Sequence, residues 1–335
     1  MPDRNTMKQF DEAMIFGEDD FSEQLENVIK PWIHNNLQEG YFHSEDGTKI
    51  HYHFALHPQE RASVVISHGF CEFVSKYHEV MYYFYQMGYS VFFLEYRGHG
   101  FSQRYVEELD RVYVRDYREY VQDLHGFVEQ VVKKKSRTDT YFLFAHSMGG
   151  CIATLFLEQY PEVFQAAILS APLLQMNFRD VPEWAVSLLV LWSRIARWDL
   201  RYVPGQKGFD NVYVFDTSSC TSEPRYAYVF SERQREPHYT SYGGTYAWTR
   251  ASIKGIKRAH RDANKITVPI LLCQAGLDGM VKPAGQERFV QETKNTRLVR
   301  FEDSKHEIFN AKVDVRKPYY KEIFSFLQDC MPQDK

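Results

Sequence analysis

The sequence predicts an α/β protein: a mostly parallel sheet with helices on both faces and one long insertion. Two observations carry this. From Ile50, short apolar runs alternate with segments of helical spacing, and the same alternation resumes near residue 266. Between residues 172 and 265 the rhythm stops. Short apolar runs suit strands buried on both faces, and strands that alternate with helices build parallel sheets. The interruption is too long for a plain loop, so it reads as a cap inserted over the carboxyl ends of the strands, where ligands of such sheets bind. The division that follows is an N-terminal extension over residues 1–40, a core over 41–171 and 266–335, and the cap over 172–265.

Each element has its own signal. "KIHYHFAL" alternates with period two, and "SVVISH" is a β-branched run ending at His68-Gly69. Residues 74–87 have helical character, stopped by Gly88. "YSVFFLEY" is a buried strand leading into the glycine-rich "RGHGFSQ". Over 116–134, Tyr117, Tyr120, Val121, Leu124, Phe127, Val128 and Val131 recur at helical spacing. "TYFLFA" is the next strand, "GGCIATLFLEQYP" the next helix and "QAAILSAP" another strand. After the cap come "VPILLCQAG", a helix from Pro283, "TRLVRFED" and a last helix near 315–330.

Composition narrows the function classes. A net charge of -4 gives no basic field for nucleic acid. Cys71, Cys151, Cys220, Cys273 and Cys330 form no CxxC pair, which points neither to a disulfide framework nor to a zinc site. The N-terminus lacks a basic region followed by an apolar one, and no run of about 20 apolar residues occurs, so the expected location is the cytoplasm. His51, His53 and His57 alternate along one strand, but no carboxylate or cysteine lies at ligand spacing, so the sequence predicts a solvated or half-buried strand face and no metal site.

The chemistry concentrates at "FLFAHSMGG". Ser147 follows a strand and precedes a helix, with Ala145 and Gly149 as small neighbours, which matches a nucleophile elbow in which the first glycine is replaced. A serine N-cap explains the pentapeptide equally well when it is read alone. A nucleophilic serine needs a base, an acid to orient that base, and two N–H donors for an oxyanion. In the order Ser, Asp, His, the acid slot falls on Asp278 in "QAGLDGMV" and the base slot on His306 in "FEDSKHEIF". Asp303, three residues before His306 on the same loop, is poorly placed to support that ring. The expected donors are the N–H groups of Met148 and of Phe70 in "SHGFCE".

Together "HGFCEFVSKY", "YRGHGFSQ", "AHSMGG", "QAGLDGMV" and "KHEIFN" resemble the α/β-hydrolase serine lipases of the bacterial lysophospholipase and monoacylglycerol lipase type, over roughly residues 45–330. "GGTYAWTRASI" extends the likeness into the cap. The resemblance implies an α/β-hydrolase fold, and hydrolysis of the carboxylic ester of a single-acyl-chain lipid through an acyl-enzyme, with no metal or organic cofactor. Ser147, Asp278 and His306 match the triad, and Phe70 and Met148 the oxyanion donors. Glu72, Lys76 and His146 match residues around the glycerol head, where Lys76 replaces an arginine and so offers a point charge instead of a planar fork. The other readings are an esterase of small substrates, a peptidase and a non-catalytic binder on the same fold. Within the cap, residues 181–198 predict a helix with Trp184, Leu188, Leu191, Trp192 and Ile195 on one broad face. Such a face either covers an acyl chain and touches a membrane, or packs inside the cap.

Overall fold

The computed structural model describes residues 9–179 and 181–332. The first residues of the N-terminal extension, residue 180 of the cap and the last three of the chain lie outside the described residues. The central sheet has eight strands in the order β1-β2-β4-β3-β6-β7-β9-β10. These are β1 (Gln38–His43), β2 (Lys49–Ala55), β3 (Ala62–Ser67), β4 (Tyr89–Leu94), β6 (Tyr141–His146), β7 (Ala166–Ser170), β9 (Ile270–Ala275) and β10 (Thr296–Phe301). The two-residue strands β5 (Arg111–Val112) and β8 (Gly243–Gly244) pair separately. β2 runs antiparallel to both of its neighbours, β1 and β4, and every pair from β4 to β10 is parallel.

Parallel strands fed by crossover helices are covered on both faces, and every residue of β3, β4, β6, β7 and β9 is buried. Their side chains divide between two cores. Val65, Phe92, Leu143 and Leu169 face one core, shared with the helices Tyr117–Phe127 and Met148–Gln159. Val64, Ile66, Phe93 and Phe144 face the other, shared with the helices His78–Gln86 and Val313–Asp329. Gly88 ends the first of these latter helices at φ +88, a conformation that suits glycine.

β1 is a strand the sequence does not signal. It straddles residue 40, and only Phe42 of its six residues is buried, so it carries no apolar run. The residues before it pack on the body of the protein. Phe21, Leu25 and Ile29 form a small cluster against Tyr82 and Tyr228. Buried Arg225 ties this segment to the core, with hydrogen bonds to Glu18 at 2.9 Å, the Phe16 carbonyl at 2.9 Å and Glu79 at 2.8 Å. Arg316 joins the same Glu79 from the last helix.

Residues 172–265 hold three longer helices, Glu183–Ile195, Glu223–Arg235 and Tyr246–Asp262. The third lies in the core layer. Trp248, Ala251 and Ala259 belong to the first core, and a Cβ on Gly255 would lie 2.9 Å from the Tyr117 ring. Thr245 caps this helix by accepting from the Trp248 N–H at 3.2 Å. The first helix is its opposite: only Val190 and Ser193 are buried, while Trp184, Leu188, Leu191, Trp192 and Ile195 are all more than half exposed. Packing inside the cap is therefore not what this face does. Among the described residues, no helix is long and apolar enough to cross a membrane.

Candidate active site

Ser147 links β6 to the helix Met148–Gln159 with φ 51 and ψ −116, outside the ordinary basins for a residue with a side chain. Three neighbours impose this turn. The Ser147 N–H donates to the Ser170 carbonyl at 3.1 Å, while its own carbonyl accepts from Leu173 at 2.8 Å and Gly150 at 2.9 Å. Gly149 and Gly150 then admit close approach. A Cβ on Gly149 would sit 2.1 Å from the Ser67 carbonyl oxygen, and one on Gly150 would sit 2.6 Å from Pro172 Cβ. The Ser147 side chain makes no capping hydrogen bond, so the N-cap explanation does not hold.

That hydroxyl meets His306 instead. Ser147 Oγ lies 2.8 Å from His306 Nε2, and His306 Nδ1 lies 2.7 Å from Asp278 Oδ2. Asp278 follows β9 and His306 follows β10, so two parallel strands deliver both groups to the end of the sheet where β6 delivers Ser147. The other Asp278 oxygen accepts from the N–H groups of Met280 at 2.8 Å and Val281 at 3.0 Å. Burial alone would raise the Asp278 carboxyl. Its pairing with His306 and these two N–H donors outweigh that and hold it below the ordinary value. Asp303 is exposed.

Met148 N–H is the first of its helix and has no intrahelical acceptor. Phe70 lies on the loop after β3, the strand whose end packs against Gly149. Its ring stacks on Trp248 with centroids 3.7 Å apart. The two loops expected to supply oxyanion donors are therefore in contact.

Glu72, Lys76 and His146 come together beside His306. Lys76 Nζ lies 2.7 Å from Glu72 and 2.7 Å from Glu307. Glu72 also accepts from the Gly69 N–H and the Tyr77 hydroxyl. His146 donates Nδ1–H to the Ser170 carbonyl at 3.0 Å, and its ring centroid lies 4.8 Å from that of His306. Burial favours the neutral ring, and despite the nearby Glu72 it lowers His146 to about 4. The Lys76 ammonium, with the hydrogen bonds from Lys76 and the Tyr77 hydroxyl, overcomes burial and holds the Glu72 carboxyl well below its ordinary value. Glu307 was missed by the sequence reading. The only available signal was its position next to His306, because its partner Lys76 lies far back in the chain.

Comparison with known proteins agrees with this architecture. Residues 58–312 match the Hydrolase_4 family, described as serine aminopeptidase, S33. The chain is 28% identical over 293 residues to a probable lysophospholipase L2 of Haemophilus influenzae, spanning 86% of this chain and 91% of that one. It is 30% identical over 239 residues to lysophospholipase L2 of Escherichia coli strain K12, spanning 68% and 67%. Among solved structures, the fold matches a soluble variant of monoglyceride lipase from Saccharomyces cerevisiae, with a TM-score of 0.70 at 19% identity, covering 89% of this chain and 95% of that one. With the strand-end geometry, the family match over most of the chain and these relatives, the chain belongs to the Hydrolase_4 family of α/β hydrolases.

Proposed function

We propose that this protein is a carboxylic ester hydrolase that cleaves single-acyl-chain lipids, a lysophospholipid or a monoacylglycerol, through an acyl-enzyme on Ser147. The observation that carries the reading is the unbroken hydrogen-bonded chain from Ser147 Oγ through His306 to Asp278, starting from a serine in a strained turn. His306 Nε2 takes the hydroxyl proton as Oγ attacks the carbonyl carbon, and then delivers it to the leaving alcohol. Water repeats the cycle and releases the fatty acid. Asp278 accepts from His306 Nδ1–H throughout, fixing the tautomer and stabilising the imidazolium. The Met148 and Phe70 N–H groups serve the oxyanion, each worth about 2.7 to 4 kcal/mol in sites of this kind.

Two features support a lipid substrate. Relatives that span most of this chain are named lysophospholipases. The exposed apolar face of the helix Glu183–Ile195 also starts beside the site. Gln175 bonds Glu183 at 2.7 Å, Met176 bridges to Val281, and Asn177 bonds the Gly279 carbonyl at 3.2 Å in the Asp278 loop. An acyl chain or a membrane surface would meet Trp184, Leu188 and Trp192 there. Glu72, Lys76, His146 and Glu307 form the polar wall beside His306 on which a glycerol head would lie.

A panel of lysophosphatidylcholine, monoacylglycerol, a short-chain ester and an aminoacyl-amide tests the proposal, with the Ser147→Ala variant as control. Lipid hydrolysis that falls by about 10⁴- to 10⁶-fold in Ser147→Ala supports it. Preference for the short ester or the amide overturns the substrate class, and full activity in Ser147→Ala overturns the mechanism.

A further inference from the structure

A second histidine–carboxylate cluster lies on the antiparallel side of the sheet, among residues the proposed reaction does not use. His51 and His53 of β2 point to the same face and are buried, at 1% and 6% exposure. The sequence predicts a solvated or half-buried face here, with no carboxylate or cysteine at ligand spacing. The sheet supplies two carboxylates from elsewhere in the chain. Glu39 of β1 stands directly across from His53 in the register, and Glu95 follows β4 with no exposure at all.

The arrangement is a built one. His51 Nδ1 donates to Glu95 Oε2 at 2.9 Å, and the Phe101 N–H holds that same oxygen at 2.8 Å. The His51 Nε2 lone pair therefore points forward, and it faces Glu39 Oε2 at 3.6 Å. His53 lies between the same two carboxylates without a hydrogen bond to either: Nε2 faces the other Glu95 oxygen at 3.9 Å, and Nδ1 faces Glu39 Oε2 at 3.9 Å. One carboxylate thus stands behind both rings and one in front. His53 Nε2 and Glu95 Oε1 are buried with no hydrogen-bond partner. The forward separations are too long for hydrogen bonds. One ligand atom from each of Glu39, His51 and His53 can be chosen so that all three lie within 4.8 Å of one another. Ligands about 2.0–2.1 Å from a tetrahedral ion lie roughly 3.3 Å apart, so small side-chain shifts close the set.

We propose that Glu39, His51 and His53 bind a divalent transition-metal ion of the Zn²⁺ class, with Glu95 as the carboxylate that orients the His51 imidazole. A carboxylate that accepts from the distal nitrogen of a ligating histidine is the usual support of such a ligand. Two neutral histidines and one carboxylate leave a fourth position for water. The exposed Glu39 side chain gives the ion a path from solvent. The role is structural: among the described residues β1 is an edge strand that pairs with β2 alone, and the ion would pin it to β2.

The test uses the full chain after dialysis against a chelator. Zn²⁺ is titrated by calorimetry against a competing chelator, and Co²⁺ is followed by its visible absorption. One tight equivalent, a raised unfolding temperature and slowed amide exchange over residues 38–43 are expected. Glu39→Ala, a change at an exposed side chain, is expected to weaken binding at least tenfold while circular dichroism stays unchanged. His53→Gln is expected to do the same. Absence of saturable binding overturns the proposal, as does binding that Glu39→Ala weakens less than tenfold.

Discussion

The two walls of the candidate site are built in opposite ways. On the core side, Ser147, Asp278 and His306 sit on short connections at the ends of β6, β9 and β10, and glycines bring backbone within contact of backbone. On the cap side, the helix Glu183–Ile195 leaves nearly its whole apolar face in solvent. A wall of the first kind holds reacting atoms in one geometry. A wall of the second kind has little internal packing to lose and much apolar surface to offer. Rate is thus expected to reside in the core wall and substrate preference in the cap wall.

Substitutions should separate the two. Asp278→Asn removes the acceptor that fixes the His306 tautomer, and kcat is expected to fall by about 10⁴-fold with KM little changed. A steady-state comparison on one lipid substrate checks this, and a change confined to KM would break the contrast. Gly149→Ala drives a Cβ into the Ser67 carbonyl. It is expected to cost about 3 kcal/mol of stability, read as a lower denaturation midpoint, and to lower kcat through the displaced turn.

Acid should act on the buried titratable groups of the core. The folded state holds His146 at about 4 and His78 at about 3, in both cases mainly by burial. The unfolded chain protonates histidine near 6.5, so below that pH it binds more protons than the folded chain. Stability is expected to fall as pH drops from about 6.5 toward 4, by about 1.4 kcal/mol per unit for each group. Glu79, held at about 2 by Arg225 and Arg316 in spite of burial, adds a further loss as pH falls below the ordinary carboxylate value near 4.5. Urea midpoints between pH 4 and 8 measure this, and a flat profile would contradict it.

The smallest effect on the fold belongs to the cap. Trp192→Ser changes a residue that is 64% exposed, and stability is expected to move by less than about 0.5 kcal/mol. KM for lipid presented on vesicles is expected to rise, while kcat for a soluble short-chain ester stays the same. Equal losses on both substrates would place the cap helix in the chemistry instead.

The contrast also explains what the sequence made legible. Ser147, Asp278 and His306 could be located because each follows an apolar strand with a clear signal, and chain order ties those strand ends to one edge. Lys76 and Glu307 could not be paired, because their meeting depends on how a loop after β3 packs against one after β10. β1 has no apolar run, and without β1 the neighbours of His51 and His53 stay hidden. Their carboxylates come from an antiparallel register and from the residue after β4, and local spacing carries neither. The apolar face of the cap helix was visible as periodicity, but whether it is covered or exposed depends on tertiary packing.

The central claim is that Ser147 is a nucleophile activated by His306. Intact-mass and peptide analysis after reaction with a fluorophosphonate tests it most directly. A single adduct on Ser147 is expected, slowed strongly by His306→Ala and absent in Ser147→Ala. An unlabelled protein, or an adduct on another residue, would contradict it.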